Sequence, residues 1–297
     1  MRPNRVRVPA HEEPGSLARL RGSWTITQKQ TAGASGLHLL FASGKRPSRD
    51  AIKGFAGAHR TVSVSHDPLD DSPIHLVATD GESLQPQHDT HSGLDDGVWL
   101  ELLHDGLTFD LLGLAPGAGC SFPKTENSFD LKQSPGARRL EALHLVPGQH
   151  LAGAANALPV MQALIGLARD LINHFDDLEA VIWEPSSSAI GRRYFESVTT
   201  AWLEGGPFPA LGLTAFRKTI DGALQSIGLD FWIGQELRIE PPLSTQRVEA
   251  TRLGTRLVNQ LVLVGGISNS ERIVAPDGSR LVMRPSRNGK FVRVSRE

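Results

Sequence analysis

The chain has 297 residues with 31 basic and 32 acidic side chains, which gives a formal net charge of −1 at neutral pH. This balance excludes a global electrostatic field that would draw the protein onto nucleic acid or an anionic membrane, although local charged patches remain possible. The single cysteine, Cys120, excludes an internal disulfide framework and a zinc site built from several cysteines, and it is typical of a reducing compartment. We therefore expect a cytoplasmic protein with no nucleic-acid and no membrane partner.

The N-terminal stretch, residues 1–23, is basic and contains three prolines but no apolar run. It lacks the hydrophobic segment of a secretory signal, so we expect a flexible arm. No run of about eighteen apolar residues occurs in the sequence, which predicts that no helix spans a membrane.

Residues 24–150 read as a strand-rich α+β half. The segment "GLHLLFA" (36–42) predicts a strand, and "TVSVS" (61–65) alternates as a second one. Between them, Ser48 is placed to cap a helix with Phe55 on its apolar stripe. Asp-Gly accepts the positive φ angles of a tight hairpin, and such pairs lie beside apolar runs at 80–81, 96–97 and 105–106.

A stretch rich in glycine and proline, residues 115–157, predicts a long connection and places the junction between the two halves near residue 150. The second half, residues 151–297, begins with a long amphipathic helix that Asn156 is placed to cap. The segment "LEAVIW" (178–183) follows as a strand buried on both faces, and its position between two helices allows parallel pairing.

Serines 186–188 predict the start of a second helix, whose apolar stripe is Ile190, Tyr194, Val198 and Trp202. A hairpin about Asp221-Gly222, a helix near 245–264 and a three-stranded C-terminal meander complete the chain. The predicted fold is α+β, with two associated halves that each combine a mainly antiparallel or mixed sheet with helices on one face.

The segment "QPQHDTHSGLDDG" (85–97) holds the candidate metal ligands. His88, His91 and Asp95, with Asp89 beside them, offer nitrogen and carboxylate ligands suited to zinc or manganese. Turn formation explains the Asp-Gly pair at 96–97 without a metal. We expect an exposed loop without stoichiometric metal and no cofactor. The alternative is a metal-assisted hydrolase in which His88, His91 and Asp95 hold an ion that activates water.

Other motifs give little support for catalysis. Cys120 lies in no context that predicts a lowered pKa, and "GISNS" (266–270) lacks the closing glycine of a nucleophile elbow. No dinucleotide fingerprint or zinc-protease motif is present. Phe231 and Trp232 stand together in "DFWIG" (230–234), where they either pack in the core or anchor a partner. Taken together, these motifs favour a protein that is not an enzyme.

One segment carries a family resemblance. "SIGLDFWIGQELRIEP" (226–241) resembles a bacterial domain of unknown function, number 4261, and the resemblance extends to "AVIWEPSS", to the helix ending at Trp202 and to the C-terminal meander. Gly228, Leu229, Gly234 and Glu236 fit that family's pattern, whereas Ser226 stands where threonine is commoner. The resemblance covers the second half of the chain. It implies a bacterial intracellular protein with an α/β fold, and it supplies no catalytic residue.

From these observations we expect a non-catalytic interaction protein, such as a toxin-neutralising, adaptor or accessory factor. Its partner would be another protein, encoded by a neighbouring gene, because such factors are often encoded beside the protein they bind. Phe231 and Trp232 are the candidate binding residues, and the metal-assisted hydrolase is the competing hypothesis.

Overall fold

The computed structural model describes residues 36–69, 98–275 and 277–297. The strands are β1 (Leu37–Ala42), β2 (Val62–His66), β3 (Trp99–His104), β4 (Leu107–Leu112), β5 (Asn127–Phe129), β6 (Leu140–Pro147), β7 (Leu178–Trp183), β8 (Ser188–Gly191), β9 (Ala215–Lys218), β10 (Leu224–Ile227), β11 (Glu236–Ile239), β12 (Glu271–Val274), β13 (Arg280–Pro285) and β14 (Phe291–Arg296). The helices are α1 (Arg49–Ala58), α2 (Leu158–His174), α3 (Arg192–Leu203), α4 (Ala210–Leu213), α5 (Leu229–Ile233) and α6 (Arg247–Val264).

These strands form two sheets. Sheet 1 has the order β2-β3-β4-β6-β1-β7-β8-β5, and sheet 2 has the order β12-β13-β14-β11-β10-β9. All neighbouring strands run antiparallel except two parallel pairs, β5 with β8 and β11 with β14. The α+β class with mixed sheets is therefore confirmed.

Helices α1, α2 and α3 cover one face of sheet 1. Leu39 and Phe41 of β1 share an apolar cluster with Phe55 of α1 and Leu164 of α2, and all four are buried. This face takes alternate residues of each strand because successive side chains of a strand point to opposite sides. The opposite face carries a smaller apolar cluster of Leu40, Ala142, Ala180, Ile182 and Ala189, against which Phe122, Leu131 and Leu140 pack.

Helix α6 packs on one face of sheet 2. Leu257, Val258 and Leu261 of α6 are buried in the same cluster as Leu237 and Val292 of the sheet. The helix approaches closely at Gly254, where a Cβ atom would lie 2.8 Å from Cε1 of Phe216. A glycine is needed at this point because any larger residue would press on the β9 side chain.

Several local predictions are confirmed. Ser48 caps α1 by accepting a hydrogen bond from the Ala51 N–H at 3.2 Å. The Asp105-Gly106 and Asp221-Gly222 pairs connect antiparallel strands, as do the two turns of the C-terminal meander. The Asp-Gly pairs at 80–81 and 96–97 lie outside the described residues.

Three predictions about the middle of the chain are wrong, and one is confirmed. Ser186–Ser188 does not open a helix, because Ser188–Gly191 forms β8 beside β7 and the helix begins at Arg192. The cap of α2 falls at Ala157 with no side-chain hydrogen bond, so Asn156 does not cap it. "LEAVIW" is confirmed as the buried strand β7, and it pairs antiparallel on both sides, with β1 and β8, so the parallel pairing that its position allowed does not occur. The Gly/Pro-rich stretch 115–157 contains β6, a central strand of sheet 1.

Strands from both sides of residue 150 contribute to sheet 1. β7 and β8 follow that residue and pair with β1 and β5, which precede it. The chain passes from sheet 1 to sheet 2 later, between β8 and β9. None of the helices in the described part of the chain is both long enough and apolar enough to cross a bilayer.

Candidate functional site

The candidate metal ligands of the sequence, His88, His91, Asp89 and Asp95, lie outside the described residues. Within the described ranges, 36–69, 98–275 and 277–297, no three histidine, cysteine, aspartate or glutamate side chains are grouped so that they could hold a metal ion. That finding does not bear on the 88–95 loop. The metal-site hypothesis therefore stays a prediction.

Phe231 and Trp232 lie on helix α5 and contact aromatic side chains of the same chain. The Phe231 ring stands edge-on to Trp183 with centroids 5.0 Å apart, and Trp232 contacts Phe208 at 5.0 Å and Trp202 at 6.1 Å. Both rings are half-buried against the main core. Internal packing accounts for these contacts, and a role of the two residues in partner binding stays a prediction.

Glu236 braces the turn that leads into α5. Its carboxylate accepts hydrogen bonds from the Ser226 hydroxyl and from the Gly228 N–H at 2.7 Å. Burial raises the pKa of Glu236 to about 7; the Ser226 hydrogen bond opposes this shift and nearby Asp230 reinforces it. Gly228 has φ +83°, and a Cβ atom there would lie 2.7 Å from the Pro185 carbonyl oxygen. The segment on which the predicted resemblance rests thus joins β10 to α5, and its glycine and glutamate have a structural explanation.

Two carboxylate side chains lie opposite each other on adjacent strands of sheet 1. Glu101 on β3 and Asp110 on β4 are register partners, and Glu101 accepts hydrogen bonds from Ser65 Oγ at 2.7 Å and Thr108 Oγ1 at 3.2 Å. Burial raises the pKa of Asp110 to about 6, with Glu101 reinforcing the shift and His66 opposing it. A raised carboxyl pKa also occurs in structural pairs, so this pair does not define a reaction.

Two histidines stack on the same face of sheet 1. His38 and His144 are register partners whose rings lie 4.2 Å apart and 3° from parallel. Nδ1 of His38 and Nε2 of His144 are buried and have no hydrogen-bond partner among the described residues. Burial, together with the charge of His144, lowers the pKa of His38 to about 3, and burial lowers the pKa of His144 to about 4. Both rings are neutral at physiological pH.

The outer face of sheet 2 carries a row of four arginine side chains and one glutamine. Arg217, Gln225, Arg238, Arg293 and Arg284 are successive register partners on β9, β10, β11, β14 and β13. We call these five residues the arginine row. Neighbouring strands lie roughly 4.8 Å apart, so the row crosses about 19 Å of the sheet.

Strand alternation explains why the row faces away from α6. Leu237 and Ile239 flank Arg238 on β11, Val292 and Val294 flank Arg293 on β14, and these four apolar residues are buried in the core. The intervening arginines must then point to the other side of the sheet. Four guanidinium groups consequently stand on one surface.

Acidic side chains neutralise only part of this charge. Arg238 pairs with Asp221 and with Glu240 at 3.0 Å, and Glu240 also lies 3.6 Å from Arg293. A hydrogen bond from Thr219 and the Arg238 guanidinium lower the pKa of Asp221, which is therefore ionised at neutral pH. Arg217 and Arg284 are exposed and make no ion pair within the described part of the chain. Four guanidiniums against two carboxylates leave a local excess of two positive charges.

Sequence reasoning missed the arginine row. The available signal was an arginine at alternating position in each of the strand-like segments "FRK", "LRI", "MRP" and "VRV". That alternation places each arginine opposite the apolar face of its own strand. It does not say which strands are neighbours or in what register, and the row depends on both.

A scan against protein-family models, a search of curated proteins and a search of solved structures each find no match to this chain. The resemblance to the bacterial domain of unknown function stays a prediction.

Proposed function

We propose that the protein is a non-catalytic interaction protein, of the toxin-neutralising, adaptor or accessory kind, and that the arginine row binds an acidic surface of a partner protein. The observation that carries this proposal is the alignment of four guanidinium groups in one register of sheet 2, two of them without an acidic partner among the described residues. Like charges held together on a surface are stabilised by a partner of opposite charge.

The composition of the face favours a carboxylate-bearing protein over nucleic acid. Arginine presents a planar fork that binds carboxylates through two parallel hydrogen bonds. The row contains no aromatic side chain, whereas surfaces that bind single-stranded nucleic acid stack bases on aromatic rings. The net charge of −1 also provides no long-range attraction for a polyanion. The partner we propose is a protein with an acidic surface, encoded by a neighbouring gene.

Co-expression with the products of adjacent genes tests this proposal. We expect the protein to co-purify with an acidic product and the double variant Arg217→Glu, Arg284→Glu to weaken that complex by about tenfold or more, since each reversal replaces attraction by repulsion. The matched control is Arg193→Glu, Arg256→Glu, which makes the same change of charge at exposed positions on α3 and α6.

The control variant should bind like the parent. A complex of unchanged affinity in the row variant would contradict the proposal. So would tight binding of a single-stranded RNA probe that the row variant abolishes, because the surface would then serve nucleic acid. Thermal melts of all variants check that each one folds.

A further inference from the structure

One end of the arginine row opens into a depression. Its lining comes from β13, β14, the turn between them and the residue that follows β11. The residues are Glu240, Arg284, Pro285, Ser286, Arg287, Arg293 and Ser295. Three arginines and two serines are therefore among the residues that line this depression.

The charge of this depression exceeds what one carboxylate would neutralise. Arg284, Arg287 and Arg293 carry three positive charges against the single negative charge of Glu240, which leaves an excess of two. Glu240 is also shared with Arg238 at 3.0 Å, while Arg284 and Arg287 make no ion pair among the described residues. A phosphate monoester carries about −1.5 to −2 at neutral pH, whereas an aspartate or glutamate carries −1.

The turn that holds Arg287 is internally ordered. The Ser286 hydroxyl donates to Asn288 Oδ1 at 2.7 Å and accepts from the Phe291 N–H at 3.0 Å. The Gly289 N–H donates to the Ser286 carbonyl oxygen at 2.9 Å. These bonds order the backbone between β13 and β14 that carries Arg287. A turn that is already ordered loses less backbone entropy when a ligand binds.

We propose that this depression binds the phosphoryl group of a phosphorylated serine or threonine in the partner protein. The proposal rests on the proposed function and adds a switch to it, because phosphorylation of the partner would strengthen the complex. Recognition of phosphorylated side chains by clustered arginines uses the same charge-assisted hydrogen bonds.

Three fluorescein-labelled peptides of equal length test the proposal by fluorescence anisotropy. Each has an acidic Gly/Glu sequence with one central residue that is phosphoserine, serine or glutamate. At physiological ionic strength we expect the phosphoserine peptide to bind about tenfold tighter than the serine peptide and severalfold tighter than the glutamate peptide. Equal affinities for the three peptides, or no phosphopeptide binding at millimolar concentration, would overturn the proposal.

Two variants localise the effect. Arg284→Gln with Arg287→Gln should reduce the preference for phosphoserine to less than about twofold. Arg217→Gln, at the other end of the row, should weaken all three peptides equally and leave the preference intact. If the Arg217 variant removes the preference and the depression variant keeps it, the site is misplaced.

Two competitors test whether the depression prefers a phosphorylated protein to other sources of phosphate. Inorganic phosphate should compete only weakly, and a single-stranded RNA of the same charge should compete less well than the phosphopeptide. RNA that competes better would assign the depression to nucleic acid.

The peptides also distinguish failure of the phosphoryl proposal from failure of the proposed function. If the serine and phosphoserine peptides bind equally but both depend on Arg217, only the phosphoryl proposal fails. If no acidic peptide binds and the gene-neighbour complex is insensitive to charge reversal, the proposed function fails.

Discussion

Replacing His144 by phenylalanine should make the stability of the protein less sensitive to acid. The two stacked rings are neutral in the folded state because burial lowers the pKa of His38 to about 3 and that of His144 to about 4. In the unfolded chain both have the ordinary histidine pKa near 6.5. As the pH falls below 6.5 the unfolded state binds protons that the folded state does not, so stability is lost down to the folded pKa values.

The size of this loss of stability follows from the linkage between proton binding and folding. One pKa unit corresponds to about 1.4 kcal/mol, so at pH 5 each buried imidazole lowers the free energy of unfolding by about 2 kcal/mol relative to pH 7, and the pair by roughly 4 kcal/mol. Phenylalanine at position 144 keeps a ring against His38 and removes one titrating group together with its unpartnered Nε2. We expect about half of the pair's pH dependence to disappear.

Urea unfolding followed by circular dichroism at pH 7, 6 and 5 measures this effect. The relevant quantity is the difference between parent and variant, because the raised pKa values of Glu236 and Asp110 stabilise the fold as the pH falls and are common to both proteins. His150→Gln removes an exposed imidazole and serves as the control. If the parent and the His144→Phe variant lose stability in parallel between pH 7 and 5, the assignment of a buried neutral pair is refuted.

Gly222→Val should lower the free energy of unfolding by about 1–3 kcal/mol because Gly222 has φ +87°, and an unchanged thermal midpoint would contradict the strain. Gly254→Ala should lower the free energy of unfolding by about 1–3 kcal/mol, because the new Cβ would lie 2.8 Å from the Phe216 ring and overpack the core. Its control is Gly57→Ala, whose Cβ would meet nothing within 4 Å. In the same urea titration the control should leave the free energy of unfolding unchanged or raise it by up to about 1 kcal/mol. Elemental analysis of untagged protein should find no stoichiometric zinc or manganese, and one equivalent that a His88→Ala, His91→Ala variant loses would favour the hydrolase hypothesis instead.

Structural features that depend on a few neighbouring residues could be predicted from the sequence. The Ser48 cap, the apolar stripe of α2 and the Asp221-Gly222 turn depend on local hydrogen bonds, helical spacing and φ preference, and the structure contains all three. Each of these features is determined within about ten residues of chain.

Structural features that depend on residues far apart along the chain could not be predicted from the sequence. Ile190, Tyr194, Val198 and Trp202 match a helical spacing, yet Ser188–Gly191 forms a strand because Leu178–Trp183 offers it an open edge. Among the candidate binding residues, Phe231 and Trp232 were visible as adjacent aromatics, but the arginine row was not. Its members come from five strands, and the longest pairing among them joins Arg238 to Arg293, 55 residues further along the chain.

The position of β1 in sheet 1 also has a consequence for how the protein is made. β1 lies between β6 and β7, so both of its edges are filled by segments that begin at Leu140 and Leu178. A ribosome adds about 5–20 residues each second, and the 97 residues between Ala42 and Leu140 therefore take roughly 5–20 s to emerge. During that interval the apolar segment "LHLLFA" has neither neighbour that it has in the finished sheet. Because such an edge pairs readily with other chains, we expect the nascent protein to bind chaperones that recognise extended apolar segments.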